Sequence, residues 1–130
     1  MSINEYIKNL ESIINSLTIT ASYNLNIDKK TTDIAFISGR IEFRNGSTHA
    51  IKEVVEYADY RIEKYKYAYN FRISSENIFR YDNAPDPHAR EIKTFPHHKH
   101  LKSGKIIESH AVELTDVLEE IERMILKNLW

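Results

Sequence analysis

Two short segments hold the residue types that chemistry would need. Arg80-Tyr81-Asp82-Asn83-Ala84-Pro85-Asp86-Pro87-His88 is followed, five residues on, by Thr94-Phe95-Pro96-His97-His98-Lys99-His100. Imidazole exchanges protons near neutral pH, and arginine and lysine bind phosphate and stabilise charge that develops on it. Together such groups can cleave RNA without a metal. One histidine would take the proton of the ribose 2′-hydroxyl, and a second acid would protonate the leaving 5′-oxygen. A cyclic phosphate end would remain. His98 with His97 or His100 is assigned as acid and base, and Arg80 with Lys99 as the phosphate holders. Asp82 would orient one histidine or hold Arg80 in place. The plainer alternative is an exposed histidine loop beside a structural Arg80–Asp82 ion pair.

A metal is another option, because three histidines within four residues offer imidazole ligands that Asp82, Asp86 or His88 would complete. Adjacent His97 and His98 would point to opposite sides of an extended strand, however, and no His-Glu-x-x-His pair occurs. The expected site therefore has no metal and no cofactor. Glu53 and Glu56 are further candidate bases, with solvent-facing positions on a strand as their plainer explanation. There is no glycine-rich phosphate loop, Ser-His-Asp order or dinucleotide fingerprint. With three glycines in 130 residues, nucleotide-loop folds are disfavoured.

Charge supports an anionic ligand. Residues 61–105 carry 10 basic and 5 acidic side chains, a local balance of +5 within a chain of net charge −1. In that stretch Tyr65, Tyr67, Tyr69, Phe71 and Ile73 alternate with Lys64, Lys66, Ala68, Asn70 and Arg72. Such a strand has an aromatic face for the core and a polar face on which Lys64, Lys66 and Arg72 could meet a nucleic-acid backbone. A non-catalytic module that binds RNA or a partner protein through this face is the rival to the enzyme. A metal-dependent nuclease or hydrolase comes third.

The elements that must position these groups are legible in the hydropathy pattern. Ile3, Tyr6, Ile7, Leu10, Ile13, Ile14 and Leu17 form one face of a helix, and Ser2 with Glu5 has capping-box spacing. Alternation then marks strands near residues 22–28 and 37–43, a return strand over 48–57, the strand over 64–73 and a fifth over 77–81. Asn45-Gly46 suits a type I′ turn between the second and third. From Asp82 to Gly104 periodicity fails, which predicts a long histidine- and proline-bearing loop. Ile106-Ile107 suggests a brief strand. Leu114, Val117, Leu118, Ile121, Ile125 and Leu129 mark a closing helix. The expected architecture is a single α+β domain over residues 1–130, a curved antiparallel meander of about five strands with helices on one face.

Composition sets the outer limits. Hydrophobic residues make up 42% of the chain, enough for a core, and no apolar run is long enough to span a membrane. Cysteine is absent, which removes disulfides and thiol chemistry. No secretory signal pattern opens the sequence, so a cytoplasmic protein is expected. Leu129-Trp130 could dock on the sheet or form a homodimer seam.

Asp33-Ile34-Ala35-Phe36-Ile37-Ser38-Gly39, Glu63-Lys64-Tyr65-Lys66-Tyr67, Arg80-Tyr81-Asp82-Asn83-Ala84-Pro85 and Phe95-Pro96-His97-His98-Lys99-His100 together resemble the TumE-like family of presumed prokaryotic toxins. The resemblance spans most of the chain. It implies a small cytoplasmic toxin encoded beside an antitoxin that neutralises it, and many toxins of this size are ribonucleases. Asp86-Pro87-His88 departs from the family pattern, so His88 receives less weight than Arg80, Asp82, His97, His98 and His100.

Overall fold

Ser2 opens the first helix by accepting a hydrogen bond from the Glu5 N–H at 3.1 Å, which satisfies one donor that a helix start leaves unpaired. The computed structural model describes residues 2–129, and in it this helix, α1, runs Ile3–Ser16. Ile3, Ile7, Leu10 and Ile14 form its buried stripe. Seven strands follow: β1 (Thr20–Lys29), β2 (Ile34–Phe43), β3 (Thr48–Ala58), β4 (Arg61–Ile73), β5 (Glu76–Asp82), β6 (His98–Leu101) and β7 (Ile106–Glu108). A second helix, α2 (Leu114–Lys127), comes last. Each strand pairs antiparallel with the next, so sheet order equals chain order.

The expected α+β order is found, and the expected count of about five strands is too low. β6 lies inside the stretch expected to be loop and β7 follows it. Within that stretch the long irregular segment shrinks to residues 83–97, where Pro87–Ala89 forms a single 3-10 turn, and a short turn at 102–105 joins β6 to β7.

Alternation assigns one side of the sheet to the helices. Ala35, Ile37, Ile41 and Phe43 of β2, Ile51 and Val55 of β3, Tyr67, Tyr69 and Phe71 of β4 and Phe79 of β5 are all buried there. They form one cluster with the α1 stripe and with Leu114, Val117, Leu118 and Ile121 of α2. Each fully buried large aliphatic chain contributes about 1.5–3 kcal/mol, and that sum holds the two helices on the sheet.

Register shifts at Thr20/Ser22, Val54/Val55 and Phe71/Arg72 interrupt the pattern, and the second of them repositions a lysine. Val54 pairs with Lys66 while Val55 pairs with Lys64, leaving Tyr65 as an extra residue on β4. Lys64 thereby turns to the helix side, and Tyr65, expected on the aromatic face, stays exposed and donates to Glu56. Asn83 secures the bulge: its Oδ1 accepts from the Tyr67 N–H at 3.0 Å and its Nδ2 donates to the Tyr65 carbonyl at 2.9 Å.

The Lys64 head is 2.7 Å from the Tyr69 hydroxyl, 2.7 Å from the Val112 carbonyl and 3.2 Å from Glu113. Tyr69 and Tyr6 of α1 both donate to Glu53, which is buried. Burial and the Glu53 charge push both phenols far above their usual range. Glu53 thus ties α1 to the sheet. Glu53 does not stand open to a substrate, and Glu56 is half-buried with its carboxylate accepting from Tyr65.

The turn chemistry also differs from expectation. Gly46 has φ +87° while Asn45 stays outside the left-handed region, and Gly46 N–H bonds the Phe43 carbonyl at 2.9 Å. That is a turn closed by a glycine bulge rather than type I′. Positive φ at two consecutive central residues occurs at Asp59 and Tyr60, +52° and +64°, between β3 and β4.

Two predictions follow from these contacts. A Cβ at Gly39 would lie 2.4 Å from the Asn24 carbonyl oxygen and 2.5 Å from Leu25 Cδ2, so β1 would have to move. Gly39→Ala should therefore lower unfolding free energy by about 1–3 kcal/mol, measured by denaturant titration. His49 is fully buried with its Nε2 unpartnered, and burial lowers its pKa from 6.5 to about 4. Between those values the unfolded chain binds a proton that the folded chain refuses. Stability should accordingly fall as pH drops from 6.5 towards 4, by up to about 3 kcal/mol from this group. His49→Leu should show that much less acid sensitivity over the same range.

Candidate functional site

Phe79 and Tyr81 point to the helix side, Phe79 against Phe71 and Tyr81 through its hydroxyl onto Glu120 of α2 at 2.6 Å. Period two then sends Arg80 and Asp82 to the far side of β5. β6 behaves in the same way. Lys99 faces the helices, 2.7 Å from Glu120 and over the rings of Phe79 and Tyr81. His98 and His100 face away. Strand register places His100 opposite Arg80 and His98 opposite Asp82.

Four of the expected residues therefore meet. His98 Nε2 lies 3.1 Å from Asp82 Oδ1 and 3.0 Å from His100 Nε2, which is itself 3.4 Å from Asp82 Oδ2. Arg80 donates through Nε to Asp82 Oδ2 at 2.8 Å and through Nη2 to His100 Nε2 at 2.9 Å. Asp82 Oδ1 also accepts from the Ala84 N–H at 3.0 Å. His98 is fully buried, whereas the His100 side chain is 22% exposed and that of Arg80 46%. Substrate would reach the cluster through those last two.

Hydrogen-bond polarity narrows the tautomers. A carbonyl only accepts, so the 2.7 Å contact between His98 Nδ1 and Pro96 O places a proton on Nδ1. Arginine only donates, so His100 Nε2 accepts from it. Asp82 Oδ1, His98 Nε2 and His100 Nε2 then converge, with the Arg80 guanidinium as the neighbouring cation. Burial and the adjacent guanidinium lower the His100 pKa, against the opposing pull of Asp82 and Asp86. Its Nε2 faces Arg80, His98 and Asp82, and the ring is the more exposed of the two imidazoles.

The other expected residues stand elsewhere. His97 stacks on Tyr67 on the helix side, its Nδ1 2.8 Å from the hydroxyl, with its pKa lowered by burial, His98, Lys64 and His110. Lys64 and Lys99 are committed to internal partners on that side. These three are separated by the thickness of the sheet from the Asp82 cluster. His88 is exposed and pairs only with Asp86.

Lys66 and Arg72 do share the far side with the cluster, and the strand register adds two side chains that sequence reasoning passed over. One row of partners runs Arg40, Ala50, Asn70, Arg80, His100, and the next Lys52, Ala68, Asp82, His98, Glu108. Arg40 and Lys52 thus align with the reactive groups. The alternation of Ile51 and Val55 around Lys52 was the available signal. Two surface cavities lie away from this row, one lined by Asn15–Tyr23 residues and Arg44, the other by Tyr6, Tyr60 and Thr115 among others. The cluster sits on a strand surface, a shape that suits a polymer.

Among the described residues no helix is long and apolar enough to cross a membrane. No curated protein and no solved structure matches the chain. A family described as Toxin TumE matches residues 9–125, a span that takes in the second half of α1, all seven strands, the buried stripe of α2 and the whole Arg80–Asp82–His98–His100 cluster. The chain belongs to the TumE toxin family.

Proposed function

We propose that this toxin of a toxin–antitoxin module acts by cleaving RNA at the Asp82–His98–His100–Arg80 cluster, without a metal. The observation that carries this reading is the meeting of two imidazoles, a carboxylate and a guanidinium at the end of a sheet surface bearing Arg40, Lys52, Lys66 and Arg72. The basic side chains hold the RNA backbone, and Arg80 presents its outer N–H groups to the scissile phosphate as a planar fork.

Two imidazole nitrogens 3.0 Å apart cannot flank a phosphate from opposite sides. The pair therefore works from one side. His100 Nε2 takes the proton of the 2′-hydroxyl, the oxygen attacks phosphorus, and the 5′-oxygen leaves with a proton from water. Buried His98 and Asp82 fix the ring and stabilise the charge it gains. The antitoxin is the implied protein partner. RNA retained by the same surface without cutting is the second reading, since the rows of basic side chains serve it equally.

Labelled RNA incubated with purified protein and chelator should be cut to cyclic-phosphate and 5′-hydroxyl ends. His100→Ala and Arg80→Ala should each slow cleavage by about 10²–10³-fold, the scale of losing a proton-transfer or charge-stabilising group. His98→Ala should do the same, with circular dichroism confirming that the fold survives. Unchanged rates in all three would remove the assignment. In binding assays, Lys66→Ala or Arg72→Ala should each reduce the salt slope of RNA affinity by about 1. Slopes equal to wild type would move the RNA path off this surface.

A further inference from the structure

The convergence of acceptors at the cluster has a second chemical meaning. Among the described residues, the Asp82 carboxylate, His98 and His100 are the one group of three whose ligand atoms all lie within 4.8 Å of one another. The nitrogen–nitrogen separation is 3.0 Å and the nitrogen–oxygen separations are 3.1 and 3.4 Å. Metal–ligand arms of about 2.0–2.1 Å generate donor–donor edges of about 3.0 Å in an octahedron and about 3.4 Å in a tetrahedron. Each separation thus falls near a polyhedron edge, with Asp82 presenting Oδ1 to His98 and Oδ2 to His100.

Their supports are those that metal ligands use. His98 spends its far nitrogen on the Pro96 carbonyl, which fixes the ring and leaves Nε2 as the ligating atom. Asp82 is oriented by the Ala84 N–H. Strand pairing sets both histidines beside the carboxylate on one rigid surface, two residues apart on β6. Further negative charge is close: Glu108 is the β7 partner of His98, and Asp86 acts electrostatically on His100. The one cation in contact is Arg80, on the solvent side and nearly half exposed, where it can swing out. Two imidazoles and one carboxylate suit Zn²⁺, Co²⁺ or Ni²⁺, whereas Mg²⁺ and Ca²⁺ prefer oxygen ligands.

We infer that Asp82, His98 and His100 bind one zinc-class divalent cation, and that the bound cation silences the toxin by occupying the His100 lone pair. The binding half stands on geometry alone, and the silencing half rests on the cleavage reading above. The reaction needs Nε2 of His100 free to take a proton, and a coordinated nitrogen has no lone pair to offer. Arg80, displaced by the cation, would also leave the phosphate position beside His100.

The test begins with chelator-treated full-length protein titrated with Zn²⁺ against a zinc indicator, and with Co²⁺ followed by its visible absorption. One cation per chain is expected, without competition from Mg²⁺. His100→Ala and Asp82→Asn should each weaken binding at least 10–100-fold, the scale known even for outer-shell losses. His88→Ala, on the exposed loop, should bind as wild type. His100 is partly exposed, so its variant can lose the ligand while keeping the fold, which circular dichroism checks. No binding by folded protein, or equal binding by wild type and both ligand variants, overturns the site. In the RNA assay, saturating Zn²⁺ should suppress cleavage and chelator should restore it. Faster cleavage with Zn²⁺ overturns the silencing and the metal-free reaction together. Binding that follows the ligand variants, with no cleavage under any condition, supports the site and overturns only the ribonuclease reading.

Discussion

A side chain in this sheet has two directions in which to point, and seven strands paired in chain order carry that choice from one edge to the other. Once Ile37, Ile51, Tyr69 and Phe79 are buried under the helices, their neighbours must face away. Arg80, Asp82, His98 and His100 are placed by that rule. A shift of one residue between β5 and β6 would exchange His98 for Lys99 and dissolve the cluster. The hydrophobic core thus fixes the site's geometry from the opposite surface.

The two buried polar centres of the molecule differ in kind. Around Glu53, donors and acceptors match: two phenols feed the carboxylate, and the Lys64 head finds two oxygens besides Glu113. Such a closed network contributes order and has nothing left to offer. Around Asp82 the partners are two imidazoles and a guanidinium, and His100 and Arg80 are still reached by solvent. Titratable groups gathered at such an opening are candidates to take protons, cations or substrates.

Most of the fold was legible because its elements obey a single period. Both helices and the first five strands show it over seven residues or more, and the capping serine was readable too. β6 was hidden because its four residues, His-Lys-His-Leu, carry no apolar alternation, and pairing with β5 rather than intrinsic pattern makes it a strand. The bulge at Tyr65 inverted Lys64 for a similar reason: an extra residue is a property of two strands together and leaves no mark in one. Asp82, His98, His100 and Arg80 were identifiable as reactive types. That His97 and Lys99 belong to the other surface depended on knowing that the histidine segment is extended.

Pairing in chain order also has a kinetic side. Every strand finds its partner across a short connection, except that β6 must reach back over the irregular residues 83–97 to dock on β5. Short closures are fast and the longest one is slow, so growth of the sheet runs ahead of the β5–β6 junction. On the ribosome the order is stricter, since a nascent chain that has reached residue 97 possesses Arg80 and Asp82 but neither histidine of the cluster. At that point α1, β1–β5 and the basic side chains of β2–β4 can be in place, while β6 and α2 have yet to follow. The meeting of Asp82 with His98 and His100 therefore waits on the longest closure in the sheet, after β1–β5 have had the chance to pair.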